Sequence, residues 1–306
     1  MRTVASPAQP GTGAATIEQA GDGGVDAPSP HSFAGLSLDR PRLMGVINVT
    51  PDSFSDGGET LDPEAAVERG RAMLRGGADI LDVGGESTRP GAEPVPPDVE
   101  IARIEPVVRA LTAEGALVSI DTRNASVMAA AIDAGARIVN DVSALRHDPR
   151  ALPLLAQTGV CVVLMHMQGE PRSMQDDPRY DDAALDVRNW LAARLTACTA
   201  AGVPARRIAL DPGIGFGKTV DHNLDIIARL PIFGTLGRPL VVGVSRKSFI
   251  ARLGREQPPR RRLGGSIAAA LAAVQGGACI LRVHDVEDTQ LALTVWQAIA
   301  ERTRSR

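Results

Sequence analysis

The chain has 306 residues, of which 44% are hydrophobic, and its formal net charge at pH 7 is -3. That length allows one large core or two smaller ones, and the slightly acidic balance provides no global basic field for nucleic acid. The sequence contains neither the roughly 18 consecutive apolar residues of a membrane span nor the apolar core of a secretory signal. We therefore expect a cytoplasmic protein that binds neither membranes nor nucleic acids.

The three cysteines, Cys161, Cys198 and Cys279, are widely spaced, and no C-x-x-C pair occurs. This pattern is typical of a reduced protein without a disulfide framework or a cysteine-based zinc site. At the N-terminus, residues 1–30 are rich in Ala, Gly and Pro and contain no aromatic residue. We predict that residues 1–32 are a disordered extension and that residues 33–306 form a single domain.

Eight short apolar runs follow, each ending in a polar residue and each followed by a helix-like segment. The three clearest helical segments, 62–78, 124–136 and 264–278, have glycine near their C-terminal ends. Apolar strands that alternate with helices indicate a parallel sheet covered on both faces. Eight of them predict a (β/α)₈ barrel whose active site lies at the C-terminal strand ends; the alternative is an open doubly wound sheet. The runs end at Asn48, Glu86, Asp121, Asp141, His166, Asp211, Lys247 and His284.

The last two strands carry the basic residues of the predicted barrel mouth. Side chains two positions apart share a face of a strand, so Arg282 should point the same way as His284, and Ser245 the same way as Lys247. Forked Arg contacts and a Lys point charge suit phosphate groups, and these strands are where barrels commonly bind phosphate. The alternative is that Arg282 and His284 form surface salt bridges with the acidic residues that follow them.

Across the ring, Asp121, Asn140 and Asp211 present two carboxylates and an amide. This combination suits the mixed donor and acceptor edge of an amino-substituted heterocycle. Mg²⁺ binding and simple helix capping are the alternative interpretations.

Two further motifs do not carry catalytic chemistry by themselves. The segment "DPGIGFGKT" lacks the first glycine of a P-loop, because Pro212 stands there. Its glycines instead favour a tight loop over a flat ligand, with Phe216 as an apolar wall. His166 has no second histidine at ligand spacing, so we expect a structural role for it. The sequence shows no evident Ser–His–Asp or Cys–His arrangement.

Eight motifs stand in the chain in this order: "GVINVTPDSFSDGG", "GGESTRPGA", "SIDT", "VNDVSA", "LMHMQG", "DPGIGFGKTVDHN", "GVSRKSFI" and "LRVHDV". Together they resemble the dihydropteroate synthase family over nearly the whole chain from Phe33 onward. The resemblance implies that p-aminobenzoate displaces pyrophosphate from hydroxymethyl-dihydropterin pyrophosphate, giving dihydropteroate for folate synthesis. It also implies Mg²⁺ as cofactor and membership of a family that sulfonamides target, and we expect a homodimer.

The resemblance assigns a role to each matching position. Asp121, Lys247, Arg282, His284 and Asp56 would be catalytic. The pterin would be held by Asp121, Asn140, Met165, Asp211 and Lys247, whereas Asn48, Arg282 and His284 would surround the pyrophosphate, with Asn48 also on the metal. The p-aminobenzoate site and its two mobile loops would use Phe54, Thr88, Arg89, Pro90, Phe216 and Ser248.

Two other functions stay open at this point. A folate-dependent methyltransferase domain would share the barrel and its acidic edge, but it has no need of the basic motifs "SRKS" and "RVHD". A non-catalytic relative should carry a damaged loop or anion site, and none is evident. The long N-terminal extension and the arginine-rich segment 255–262, which we expect to be a solvated loop, depart from the family pattern.

Overall fold

The computed structural model describes residues 32–50, 62–87, 93–170, 172–254 and 258–304. A two-stranded antiparallel hairpin, β1 (Ser32–Phe33) and β2 (Leu36–Ser37), precedes a sheet of eight parallel strands. These are β3 (Arg42–Asn48), β4 (Ile80–Gly84), β5 (Val118–Asp121), β6 (Ile138–Asp141), β7 (Cys161–Met165), β8 (Ile208–Asp211), β9 (Val241–Val242) and β10 (Ile280–Val283).

The eight strands close into a barrel. From β3 to β8 each strand pairs with the next one along the chain, and β10 pairs with both β3 and β9. Between β8 and β9, Leu210 forms a bridge with Leu240, and the Leu210 N–H donates to the Pro239 carbonyl at 2.9 Å. The predicted (β/α)₈ barrel is therefore confirmed, and the open doubly wound sheet is wrong.

Nine α-helices surround the barrel within the described part of the chain. The predicted helical segments are confirmed, and local sequence explains their ends: the Asp62 side chain accepts from the Glu64 N–H at the first helix. The helices are α1 (Pro63–Arg75), α2 (Pro97–Ala113), α3 (Ala125–Asp133), α4 (Ala151–Gln157), α5 (Ala183–Ala200), α6 (Val220–Ala228), α7 (Ser248–Leu253), α8 (Leu263–Gln275) and α9 (Val286–Arg304).

Two apolar layers leave one end of the barrel polar. The larger layer lies between the helices and the outward-facing strand residues. The smaller one fills the N-terminal end of the barrel interior, where Phe33 of the hairpin, 1% exposed, packs near Met44, Ile80 and Ile138. Because this plug closes the N-terminal end, a ligand reaches the barrel interior from the C-terminal strand ends.

Strand β9 is much shorter than the predicted run from Leu240 to Lys247. It ends at Val242, and Arg246 then adopts a left-handed conformation with φ +59°, which is uncommon for a residue with a side chain. Three contacts hold this turn: the Arg246 N–H donates to Ser266 Oγ at 2.9 Å, Arg262 Nη1 donates to the Arg246 carbonyl at 2.9 Å, and Arg246 Nε donates to Asp285 Oδ2 at 2.9 Å.

All three cysteines are free thiols, with Cys161 and Cys198 buried and Cys279 partly exposed. Among the helices that the structure describes, none combines the length and apolar character needed to cross a membrane.

Candidate active site

A cavity of about 420 Å³ opens at the C-terminal ends of the strands. A narrower recess beneath it shares several of the same walls. The cavity is lined by the predicted residues Asn48, Asp121, Phe216, Lys247, Ser248, Arg282 and His284, and the recess by Asp121, Asn140, Met165, Asp211, Phe216, Lys247 and Arg282. The other predicted site residues, Phe54, Asp56, Thr88, Arg89 and Pro90, lie outside the described residues.

The floor of the recess is acidic. Asp121, Asn140 and Asp211, on β5, β6 and β8, are all buried. Asp211 accepts the Gly213 N–H through Oδ1 at 2.7 Å, and burial raises the pKa of its carboxyl. Burial also raises the pKa of Asp121 to about 7, although the Arg282 charge opposes this shift. The floor thus offers hydrogen-bond acceptors to a ligand at the C-terminal strand ends.

Asp82 is a site residue that the sequence analysis missed. It lies in the middle of β4 and is wholly buried. Its Oδ2 accepts two hydrogen bonds, from Asn140 Nδ2 at 3.0 Å and from Arg282 Nε at 2.6 Å. The available signal was a charge inside the otherwise apolar run "ILDVG". The polar residue predicted at the end of this strand was Glu86, which in the structure pairs with Arg123 at 3.3 Å.

Arg282 lies between the acidic floor and the basic wall, which is the side of the cavity lined by Lys247 and His284. Besides its contact with Asp82, its Nη2 donates to Asp121 Oδ2 at 2.6 Å. The alternative of a surface salt bridge from Arg282 to Asp285 or Glu287 is wrong, because the ion pairs of Arg282 are with Asp82 and Asp121. Asp285 pairs with Arg246 instead. A single guanidinium therefore stands between two buried carboxylates, and three of its five N–H protons are left for other partners.

His284 is oriented by Ser245. Ser245 Oγ accepts the His284 backbone N–H at 3.2 Å and lies 3.1 Å from His284 Nδ1. The Ser245 hydroxyl fixes the orientation of the imidazole ring in either tautomer, because its oxygen has two lone pairs and one proton. Burial and the nearby Arg282 lower the pKa of His284 to about 3. His284 is thus a neutral hydrogen-bonding group in this site, and not the cation that the basic motif suggested.

Ser245 and Lys247 line the same cavity, although not for the predicted reason. Strand alternation does not apply to them, because β9 ends at Val242. The left-handed turn at Arg246 separates them and brings both to the cavity. Lys247 Nζ lies 4.1 Å from the centre of the Phe216 ring, and burial, reinforced by Arg282, lowers the pKa of Lys247 to about 8.

Phe216 lies in the glycine-rich loop "DPGIGFGKT", which packs closely on the residues beneath it. Gly213 has φ +67°, and a Cβ there would lie 1.9 Å from the His166 carbonyl oxygen, so only glycine fits. Beneath the loop, buried Lys218 donates through Nζ to the Phe216 carbonyl at 2.9 Å and contacts His166 Nδ1 at 2.9 Å. His166 also packs edge-on against Trp190, with ring centres 4.9 Å apart. These contacts agree with the structural role predicted for His166.

The arginine-rich segment divides in two. Arg260 and Arg261 lie in a 3₁₀ turn (Pro259–Arg261) and are exposed, as a solvated loop should be. Arg262, in contrast, lines the cavity and holds the Arg246 carbonyl. Residues 255–257 lie outside the described residues.

A (β/α)₈ barrel whose mouth combines buried carboxylates with basic side chains has the architecture of a pterin-binding enzyme. The sequence pattern that defines pterin binding enzymes matches residues 44–284. The dihydropteroate synthase of Neisseria meningitidis serogroup C is 48% identical over 270 residues, covering 86% of this chain and 94% of that protein. This chain belongs to the dihydropteroate synthase family.

Solved structures lead to the same family. Xanthomonas albilineans dihydropteroate synthase with 4-aminobenzoic acid superposes with a TM-score of 0.82 at 50% identity, covering 87% of this chain and 95% of that one. The same enzyme in complex with 7,8-dihydropteroate gives a TM-score of 0.79 at 47% identity, with the same coverage of both chains.

Proposed function

We propose that this chain condenses p-aminobenzoate with hydroxymethyl-dihydropterin pyrophosphate, releasing pyrophosphate and forming dihydropteroate. The observation that carries the proposal is the guanidinium of Arg282, which lies between the acidic floor and the cavity that His284 and Lys247 line. A substrate with a donor-rich heterocycle at one end and a pyrophosphate at the other matches that arrangement of charge.

The pterin ring fits the acidic floor because the polar atoms that the floor leaves available to a ligand are hydrogen-bond acceptors. Asp121 Oδ1 is buried with no hydrogen-bond partner among the described residues. Asn140 donates through Nδ2 to Asp82, which leaves its side-chain carbonyl oxygen to accept from a ligand. Asp211 accepts from the Gly213 N–H through Oδ1, which leaves Oδ2 for a ligand. The N–H groups of an amino-pterin edge supply the missing donors. Met165 and Phe216 provide apolar surface for the flat ring.

The pyrophosphate fits the opposite wall. Arg282 and the imidazole of His284 offer directional hydrogen-bonding groups, and Lys247 adds a positive charge. Asn48, half-buried at the end of β3, contributes an amide oxygen or an amide N–H.

Mg²⁺ fits this site when it arrives with the pyrophosphate. The surrounding cations Arg282, Lys247 and Arg246 disfavour a bare metal ion. Among the described residues no cluster of three or more His, Cys, Asp or Glu side chains forms a metal cage. The Asn48 oxygen is a hard ligand of the kind that Mg²⁺ takes together with substrate phosphates. Bound in this way, Mg²⁺ would neutralise charge on the departing pyrophosphate.

The chemistry begins with cleavage of the C–O bond between the pterin methylene group and the pyrophosphate. The electron pair leaves with the pyrophosphate oxygen, which Arg282 and His284 stabilise through hydrogen bonds. The carboxylates of Asp121 and Asp211 stabilise the positive charge that develops on the pterin. The amine of p-aminobenzoate attacks the methylene carbon and then loses a proton. Because both stabilising interactions grow toward the transition state, the site needs no activated nucleophile.

p-Aminobenzoate would lie in the outer cavity, where Phe216 and Ser248 form part of the wall. We assign Phe54, Thr88, Arg89 and Pro90 to the same subsite and Asp56 to catalysis, and sulfonamides, which mimic p-aminobenzoate, should compete there. If Mg²⁺-pyrophosphate helps to complete the subsite, p-aminobenzoate binds more tightly in its presence, by a coupling of about 1–3 kcal/mol. Titration with and without Mg²⁺-pyrophosphate measures this coupling, and equal affinities would exclude it.

One assay tests the whole proposal. The full chain is incubated with the pterin pyrophosphate, p-aminobenzoate and Mg²⁺, and dihydropteroate and pyrophosphate are quantified. Equimolar formation of both supports the synthase. Substrate binding without product would instead indicate a non-catalytic relative.

We further propose that the protein is a cytoplasmic homodimer. Helix α9 exposes a stripe of apolar side chains four residues apart, Leu291, Val295 and Ile299, which are 66%, 53% and 63% exposed. A second copy of the chain would cover this stripe. Sedimentation should show a dimer that Val295→Glu weakens. A wild-type monomer at micromolar concentration would refute the assembly.

A further inference from the structure

We propose that Asp82 is a positioning residue that holds Asn140 and Arg282 in one geometry and so couples the pterin subsite to the pyrophosphate subsite. This inference rests on the proposed function, because it assigns Asp82 to the same two subsites. Asp82 itself is buried beneath them and lines neither the cavity nor the recess. It acts through the two side chains that it contacts.

The geometry spans most of the barrel interior. In the sheet β4 lies between β3 and β5, whereas Asn140 is on β6 and Arg282 is on β10. Each of these partners is two strands away from Asp82, on opposite sides of it. A single oxygen, Oδ2, accepts from Arg282 Nε at 2.6 Å and from Asn140 Nδ2 at 3.0 Å. A shift of this carboxylate therefore moves both side chains.

These contacts define what each partner shows to a ligand. Asn140 donates its Nδ2 to Asp82, so the amide cannot rotate without losing that bond, and its carbonyl oxygen is held as an acceptor. Arg282 is bound at Nε by Asp82 and at Nη2 by Asp121, which fixes the guanidinium plane. Its remaining N–H protons are thereby pre-organised for the anion.

Asp82 also sets the charge of the floor. Asp82 and Asp121 share one guanidinium, so this group of three carries one excess negative charge when both carboxylates are ionised, which for Asp121 requires a pH above its pKa of about 7. Asp82 Oδ1 and Asp121 Oδ1 have no hydrogen-bond partner among the described residues. Other charges around Asp121 are Glu100 and Asp141, which are acidic, and Lys247, which is basic. The excess negative charge favours a cationic pterin over a neutral one.

The first test compares Asp82→Asn with Ser119→Ala. Ser119 is the register neighbour of Asp82 on β5 and is wholly buried, and its Oγ has no hydrogen-bond partner within the described chain. Calorimetry with a bare pterin and with Mg²⁺-pyrophosphate gives the two affinities separately. We expect Asp82→Asn to weaken both by about tenfold, because bonds to charged groups are the stronger ones. Ser119→Ala should stay within about twofold of wild type for both ligands, because the substitution changes no charge and removes no hydrogen bond among the described residues.

A merely structural role would lower the melting temperature of Asp82→Asn without changing either affinity in the folded protein, and that result would overturn the proposal. A pH profile adds a second readout. The Asp82 charge raises the pKa of Asp121, so the acidic limb of kcat/KM should move to lower pH in Asp82→Asn. If the acidic limb of kcat/KM lies at the same pH in Asp82→Asn as in wild type, the result counts against the coupling.

If Asp82→Asn does not fold, Asn140→Asp and Asn140→Ala test the same coupling from the other side. Asn140→Asp places a second carboxylate within hydrogen-bonding distance of Asp82 and should weaken pyrophosphate binding, although Asn140 is assigned only to the pterin. Asn140→Ala leaves the Asp82–Arg282 contact intact and should spare pyrophosphate. Equal pyrophosphate affinity in both variants would overturn the inference, while the wild-type turnover assay judges the proposed function independently.

Discussion

The guanidinium of Arg282 donates to the Asp121 carboxylate at 2.6 Å, across 161 positions of sequence. Sequence reasoning placed these residues in two separate groups, Arg282 with the pyrophosphate and Asp121 with the pterin. In the structure they form one ion pair in the floor of a single cavity. Loss of either member therefore affects the binding of both halves of the proposed substrate.

The first prediction concerns Arg282→Ala. The variant should lose at least tenfold in pyrophosphate affinity, since a charge-assisted contact contributes about 1.5–3 kcal/mol. It should also unfold more easily, because removing one partner of a buried ion pair costs about 3–5 kcal/mol. Arg282→Lys, which keeps the charge but not the fork, should be intermediate. Calorimetry measures the affinity and thermal unfolding measures the stability. An unchanged pyrophosphate affinity would show that Arg282 does not bind the pyrophosphate.

The second prediction separates the pterin from the anion. Asp211→Asn keeps the shape of the side chain but replaces one acceptor with a donor, which should weaken a bare pterin by about 1–3 kcal/mol. Pyrophosphate affinity should change little. The matched control is Asp133→Asn, on the exposed end of α3. If Asp211→Asn binds pterin as tightly as this control, Asp211 does not contact the heterocycle.

The third prediction uses the pKa of Asp121, which burial raises to about 7. Below that pH the group is protonated and loses the negative charge that stabilises the pterin cation. We therefore expect kcat/KM to rise with pH through about 7 and to fall again above about 8, where Lys247 loses the positive charge that it offers to the pyrophosphate. Asp121→Asn should abolish the rise through about 7 and keep kcat/KM low. A wild-type profile already level at pH 5 would contradict the role given to Asp121.

Much of this site followed from the sequence because polar residues interrupt apolar strands at their ends. Asn48, Asp121, Asp211 and His284 were all found in that way. Asp82 was not, since a parallel barrel strand is buried on both faces and its apolar pattern does not show which residues face inward. The contacts of Asp82 join strands far apart in sequence, so only the closed barrel reveals them. The turn at Arg246 was missed because three distant residues hold its backbone.

The fourth prediction concerns the N-terminus. Removing residues 1–30 should leave activity within about twofold, because that segment lacks core-forming residues. Phe33 is different: it is 1% exposed and closes the barrel interior. Phe33→Ala should therefore cost about 3–5 kcal/mol of unfolding free energy. Urea denaturation of both variants tests this boundary, and a truncated protein with collapsed turnover would show that the extension contributes to function.

The last prediction concerns Lys218, which is 2% exposed and supports the Phe216 loop from beneath. Burial lowers the pKa of this lysine from 10.5 to about 7; Asp211 opposes the shift, and Lys247 adds to it. Between those two pH values the unfolded chain holds a proton on Lys218 that the folded protein has released. The free energy of unfolding must therefore increase as pH rises from about 7 toward 10, by up to about 1.4 kcal/mol per pH unit for each such group.

Lys247, whose pKa burial lowers to about 8, contributes in the same direction over the upper part of this range. Lys218→Met removes one titrating group while filling a similar volume, so the slope of unfolding free energy against pH should become smaller in this variant. Lys218 also donates to the Phe216 carbonyl and contacts His166, so the variant should lose most stability relative to wild type at the upper end of this pH range, where the buried lysine is uncharged. Urea titrations at pH 7, 8 and 9 give both slopes. Parallel slopes for the two proteins would mean that Lys218 keeps its ordinary pKa inside the barrel.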